Sequence, residues 1–389
     1  MTAERRAGAG LARLVAMVAL VVPTVIGATA SSSRADAGDT LWTTGLGADG
    51  QLGNATTASR TTFGPVPGLD DVDAVTGGRE HLVALVGGTV WTWGDGSKGA
   101  TGLGTLTDRS TPTQVPGLST VTSIAAGHYH TLALLADGSV RAWGFNAMGQ
   151  LGDGTLKKRL SPVLVKGLSN VVDIAAGRDM SYALLADGTV RAWGGGANGE
   201  LGNDTRPTSQ TTPVQVSGLT NVVALAAGRN HGLAMESDGT AMAWGLNSSG
   251  QLGDGSTTPS SVPVRVSGVS AAVSIAAGAT HSVALLADGR VMTWGEAGRG
   301  QIGSGRTVDR TVPAVVAGIP LIASIGCGRD HTLAVTTTGA LWGWGMNDFG
   351  QLGDKTTTTR LSPVLVGGID DAVEAHGGRG YTVVRRNTA

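Results

Sequence analysis

Five arginines recur at one place in this chain, each directly after a glycine: Arg79, Arg178, Arg229, Arg329 and Arg379. His128 and Ala279 hold the same place in two further segments. The next residue is acidic three times, at Glu80, Asp179 and Asp330, and aromatic once, at Tyr129. A guanidinium is always charged and presents its N–H donors as a rigid fork that fits carboxylates and phosphates. Gathered on one surface, these residues would steer acidic partners toward it. The alternative is local. Each arginine pairs with the acid beside it, or with carbonyls of the next segment.

Histidine recurs two residues further on, at His81, His130, His231, His281 and His331, with Met180 and Tyr381 in register. A metal needs ligands that converge within a few ångströms. One residue per segment makes a wide ring instead, and Met180 and Tyr381 suit packing, so structural hydrogen bonding and no metal are predicted. Three G-x-G-x-x-G matches, Gly45–Gly50, Gly94–Gly99 and Gly194–Gly199, lack the helix that a nucleotide fingerprint requires, so no cofactor is predicted. No G-x-S-x-G, H-E-x-x-H or EF-hand loop occurs. The single cysteine, Cys327, stands where other segments carry alanine and reads as a small buried residue.

What positions these residues is a repeat of about 50 residues. Trp-Gly returns at Trp93, Trp143, Trp193, Trp244, Trp294 and Trp344, with Thr44-Gly45 opening the series. In the third unit, Val171–Ala176 and Ser181–Leu185 read as strands joined to a third, Val190–Gly194, through an Asp187-Gly188 hairpin turn. Asp137, Asp238 and Asp288 are the equivalent turn residues. A fourth strand is predicted to start at Pro213 and run to Val216, and proline recurs there in six of the seven units. Proline is confined to edges, strand starts and bulges, so this strand is placed at the outer edge. The Ala-Ala-Gly strand goes to a crowded axis. The prediction is an all-β fold, a seven-bladed β-propeller of four-stranded antiparallel blades. The first unit lacks a second strand and the last lacks a third, so pairing of the N- and C-terminal strands closes the ring. One aromatic per unit packs between blades, and Trp42 is expected to stand in for the missing tryptophan at Thr44.

Glycine supplies 63 of the 389 residues and charged residues only 15%, as short strands and tight turns require. Arg5, Arg6 and Arg13 precede an apolar run from Leu14 to Ile26, followed by Ala-x-Ala sites ending at Ala30 and Ala37. This layout predicts a signal peptide at 1–30, a linker at 31–38, the propeller at 39–386 and a tail at 387–389. The run is too short for a comfortable membrane span. Formal net charge is −1, and removing a signal segment that carries +2 leaves −3. A chain without a basic face is not expected to bind nucleic acid.

Together the units spell Ala-Ala-Gly-x-x-His, Asp-Gly-x-Val and Trp-Gly-x-Asn-x-x-Gly-Gln-Leu-Gly. This pattern resembles the regulator of chromosome condensation repeat family over residues 39–386, here as a secreted bacterial member. The resemblance implies a seven-bladed propeller, and by analogy a guanine-nucleotide exchange factor or GTPase regulator. It also points to a secreted bacterial relative that inhibits β-lactamases and looks to bind through aromatics at the two residues before the repeat histidine. Tyr129 is the aromatic at those places here. The functional expectation is a secreted, monomeric, non-enzymatic module that binds a protein, an acidic one by the arginine reading. The candidate face is Arg79, Glu80, Tyr129, Arg178, Asp179, Arg229, Arg329, Asp330 and Arg379. The alternative is an enzyme with an axial site, a lyase or hydrolase.

Overall fold

A computed structural model describes residues 38–387. The proposed signal peptide and cleavage sites, and most of the linker and tail, lie outside these residues. The described residues form seven four-stranded antiparallel sheets. Their inner strands are Ala74–Gly77, Val121–Ala126, Val171–Ala176, Val222–Ala227, Ala272–Ala277, Ile322–Cys327 and Ala372–Gly377, which define blades 1 to 7. Each inner strand touches the next, and that of blade 7 touches that of blade 1, so the ring closes around an axis.

Blade 7 is composite. Its strand order is Arg60–Pro65, Thr40–Gly45, Tyr381–Arg386, Ala372–Gly377, with Thr40 opposite Arg386 and Gly45 opposite Tyr381. Charged groups reinforce this pairing. Arg385 Nε donates to Glu374 at 2.9 Å, and the same guanidinium reaches Asp39. Arg386 lies over the Trp42 ring, 4.5 Å from its centroid.

The second and third strands of each blade are buried on both faces, as in His231–Glu236 and Val190–Gly194. This explains their near-continuous apolar runs. The outer strands are only partly covered, and proline sits there as expected. The fourth strand of blade 3 begins earlier than predicted, at Gln210, and ends at Gln215. Its pairing with Val190–Gly194 slips between Ala192 and Gly194, and Pro213 falls inside that irregular stretch. A bulge on an edge strand needs no donor from Pro213, so proline marks the middle of the strand and not its start.

Six tryptophans are fully buried between blades. Each indole N–H donates to a loop carbonyl of the preceding blade, as from Trp193 to Gln150 at 2.8 Å and from Trp344 to Gln301 at 2.9 Å. The loop glycine beside each indole has no room for a Cβ. At Gly102 it would lie 2.6 Å from the Trp143 nitrogen. The seventh seam corrects the expectation for Trp42, which is half-buried under Arg386. Phe63, from the outer strand, fills the space against Gly353, and Thr44 Oγ1 donates to the Gly350 carbonyl at 3.0 Å.

Candidate functional site

The turn after each inner strand brings the recurring arginines to one end of the axis. The turns are locked to one another by a belt of backbone hydrogen bonds. Arg79 N donates to His128 O, His128 N to Gly177 O, Arg178 N to Arg229 O, and Arg229 N to Ala279 O. Ala279 N then donates to Arg329 O, Arg329 N to Gly378 O, and Arg379 N back to Arg79 O. Seven blades give seven links and a closed circle. The amide of each belt residue, like that of the glycine before it, is therefore committed, and the belt addresses a ligand with its side chains.

Inside the belt lies a cavity of about 130 Å³, lined by the five arginines, His128, Ala279 and the glycines and alanines of the inner strands. Drug-sized ligand pockets run to roughly 300–1,000 Å³. This one has space for a small ion or a few waters. Cys327, partly buried, packs against the core between blades 5 and 6, as read from sequence, and also lines this wall. Burial pushes the Cys327 thiol up to about 12, so it stays protonated. Burial, followed by the charges of Arg79, Arg178, Arg229 and Arg329, pushes His128 down to about 3 and keeps it neutral.

Four of the five arginines have carboxylate partners. Arg178 Nε lies 3.1 Å from Asp179, and Arg329 Nε 3.2 Å from Asp330. Glu80 sits between Arg79 at 3.7 Å and Arg379 of blade 7 at 2.9 Å. Local pairs thus form, and the guanidiniums still share one mouth. Burial raises the Asp179 and Asp330 carboxyls, while Arg178 and Arg329 pull the other way. Tyr129 belongs to the same surface. Its hydroxyl bonds to Arg79, whose guanidinium stands 5.3 Å from the ring centroid, and the ring meets Phe145 edge-on. Arg229 is different. It makes no ion pair among the described residues: Asn230, which carries no charge, stands where three other units have an acid, and donates to Glu200 at 2.9 Å.

The recurring histidines lie elsewhere, one per seam. Each Nε2 meets a hydroxyl of the next blade: His81 with Thr131 at 3.1 Å, and His130 with Ser181, His231 with Ser282 and His281 with Thr332 at 2.9 Å. His331 meets Thr382 at 3.0 Å. Ser181 in turn donates to the Gln150 carbonyl at 2.9 Å, so it accepts from His130, which carries its proton on Nε2. Burial holds all five rings at about 3 to 4. His130 is sealed in a seam while His128 faces the axis, so the two do not form one site.

The two exceptions have a physical cause that pairwise reading across the repeat would have revealed. Met180 faces blade 4, where the hydroxyl position is Gly232. A Cβ there would lie 2.5 Å from the Trp244 ring. Tyr381 faces Leu82 and donates instead to the carbonyls of Gly78 and His81, at 2.9 and 2.7 Å.

The chain's relatives share this architecture. The model of the regulator of chromosome condensation (RCC1) repeat matches residues 87–134, 137–184, 187–235, 238–285, 288–335 and 338–385. No curated protein sequence matches the chain. Among solved structures, Prp20p from Saccharomyces cerevisiae is similar with a TM-score of 0.81 and 25% identity, over 90% of this chain and 91% of that one. Yeast RCC1 (Prp20) in complex with Kap60 gives 0.82 and 24%, over 93% and 95%. Human WBSCR16 gives 0.79 and 23%, over 90% and 99%, a likeness of fold. Six matched repeats, the belt of linked turns and the tryptophan seams together place the chain in the regulator of chromosome condensation repeat family.

Proposed function

We propose that this propeller is an exported, non-enzymatic module that binds an acidic protein partner at the arginine-ringed end of its axis. The observation that carries the reading is the charge of that end. Five guanidiniums line the mouth, with no carboxylate in its lining. Glu80, Asp179 and Asp330 beside them leave +2 among these eight groups, and Glu200 and Glu296 stand further out. Charge of this kind speeds and orients association more than it adds affinity, and it is screened by salt. The ionisable groups of the cavity are poor tools for acid–base chemistry, since His128 is a very weak base and Cys327 a very weak acid. The binding of yeast Prp20p to Gsp1p and histones supports a protein partner for a propeller of this kind. The Arg-led apolar stretch and its Ala-x-Ala sites support export.

Two measurements test the reading. N-terminal sequencing of the extracellular protein is expected to begin near Ser31 or Gly38, and an intact Met1 confined to the cytosol would refute export. Capture of partners by the immobilised mature chain is expected to weaken as salt rises. It should fall at least tenfold with Arg229→Glu while the melting temperature stays nearly unchanged. Capture that survives this change with equal strength and equal salt dependence moves the docking face elsewhere.

A further inference from the structure

The arginine ring has one open sector. Arg229 lacks the carboxylate that the other four arginines hold, and its Nε is cut off from solvent with no hydrogen-bond acceptor. The next position round the belt is Ala279, whose methyl leaves a gap where six other blades place a long or ringed side chain. Across the gap stands Arg329, and on the other side of Arg229 stands Arg178. Arg178 and Arg329 are close enough to reinforce the effect of burial in lowering the Arg229 pKa. Asp330 and Asp179 oppose that effect from a distance, but each is paired with its own arginine. Arg229 therefore holds no carboxylate of its own, and an anion between the guanidiniums would supply the missing negative charge.

We propose that the sector formed by Arg229, Ala279 and Arg329, with Arg178 beside it, is a seat for one tetrahedral oxyanion group of the phosphate or sulfate type. Guanidinium forks match such oxygens bidentately, whereas an ammonium would act only as a point charge. The space of about 130 Å³ takes one such group with water and excludes a nucleotide. Because the turn amides are already bonded round the belt, the guanidiniums alone hold the anion. The seat deepens the reading of this end as the docking face and rests on it. The group is either a free anion or one carried by the partner as a phosphorylated side chain.

The test is calorimetric titration of the full mature chain with inorganic phosphate, at ionic strength held constant with chloride, and then with a short phosphoserine peptide. Saturable binding of phosphate is expected, weakened at least tenfold by Arg229→Gln and abolished by Ala279→Glu, which puts a tethered carboxylate into the gap. Arg290→Gln is expected to leave binding unchanged, since Arg290 lies in a hairpin at the opposite end and pairs with Asp288. A side chain is already accommodated at the Ala279 position in six blades, so Ala279→Glu decides the matter even where Arg229→Gln fails to fold. Tighter binding of the peptide than of phosphate assigns the group to a partner, and equal binding assigns it to a free anion. Phosphate that acts no differently from chloride, or binds Arg229→Gln as well as wild type, overturns the seat. Phosphate binding alongside partner capture that ignores Arg229→Glu keeps the seat and removes the docking face. The reverse result keeps the docking face and removes the seat.

Discussion

The seam between blades 2 and 3 and the seam between blades 6 and 7 meet the same needs with different atoms. In the first, Trp193 fills the wedge beside Gly152 and donates to the Gln150 carbonyl, which also accepts from Ser181. In the second, one residue cannot do both jobs. Thr44 supplies the donor from the third strand, and Phe63 supplies the ring from the fourth. The seam between blades 3 and 4 divides the work again. Gly232 offers no hydroxyl, and Tyr182 donates to the Glu200 carbonyl at 2.6 Å beside Trp244. What the repeat preserves at each seam is apolar volume next to a loop glycine and a donor for a buried loop carbonyl. Each of these buried carbonyls accepts twice: Gln150 from Trp193 and Ser181, Glu200 from Trp244 and Tyr182, and Gly350 from Thr44 and the Gly353 N–H. Each such bond contributes about 0.5–1.5 kcal/mol.

The closing seam depends further on the composite blade, and removing Tyr381–Arg385 is the most damaging way to probe it. The deletion strips both neighbours of their ladder and takes away the Tyr381 bonds to blade 1 and the Arg385 ties to Asp39 and Glu374. The expected result is loss of the single cooperative thermal transition, far beyond the ~1 kcal/mol of an average substitution. A truncated chain that melts cooperatively at the wild-type temperature would show that the ring does not rely on this strand.

The division of labour at the 6/7 seam is sharpened by comparing single and paired substitutions in denaturant unfolding. Trp193→Ala removes both volume and donor and should cost about 3–5 kcal/mol. Thr44→Ala removes one hydrogen bond while the Gly350 carbonyl keeps its bond from the Gly353 N–H, and should cost about 0.5–1.5 kcal/mol. Thr44→Trp should be unfavourable by about 1–3 kcal/mol while Phe63 occupies the space. Adding Phe63→Ala should recover most of that loss. Additive effects of Thr44→Trp and Phe63→Ala would mean that the two rings do not compete for one site.

The contrast between these seams also marks how far the sequence could be read. Blade number, strand order and closure were legible because one turn, one glycine and one tryptophan recur in every regular unit. The stand-in for Thr44 was not, because strand alternation points to Trp42 whereas the ring that fills the space comes from an adjacent strand. Gathering of the arginines at one mouth was legible from their register. The want of a neighbouring acid at Arg229 was legible too, from Asn230, but the pairing of Arg379 with Glu80 crosses the closure, 299 residues apart. That pairing could not be read from spacing within one unit.

Acid separates regular seams from the 3/4 seam by a smaller, graded effect. His231 is neutral in the folded chain, held at about 4 by burial, whereas an unfolded histidine titrates near 6.5. Between these values the unfolded state binds the proton and the folded state does not. The contribution of His231 is therefore intact above about pH 6.5 and lost progressively as pH falls toward 4. Each such histidine adds up to about 1.4 kcal/mol per pH unit to the slope. His81, His130, His281 and His331 act in the same sense, so stability should fall steeply below pH 6 in denaturant melts. His231→Met imitates the 3/4 seam and should be somewhat less stable than wild type at pH 7. Its curve should be shallower by one histidine's share and cross the wild-type curve on acidification. Met180→His is the converse test. Facing Gly232, the new imidazole would lack a hydroxyl partner, so it should lower stability at pH 7 and steepen the acid slope. Parallel pH curves for wild type and His231→Met would show that this imidazole is not held neutral, and the hydroxyl-linked seam would lose its electrostatic basis.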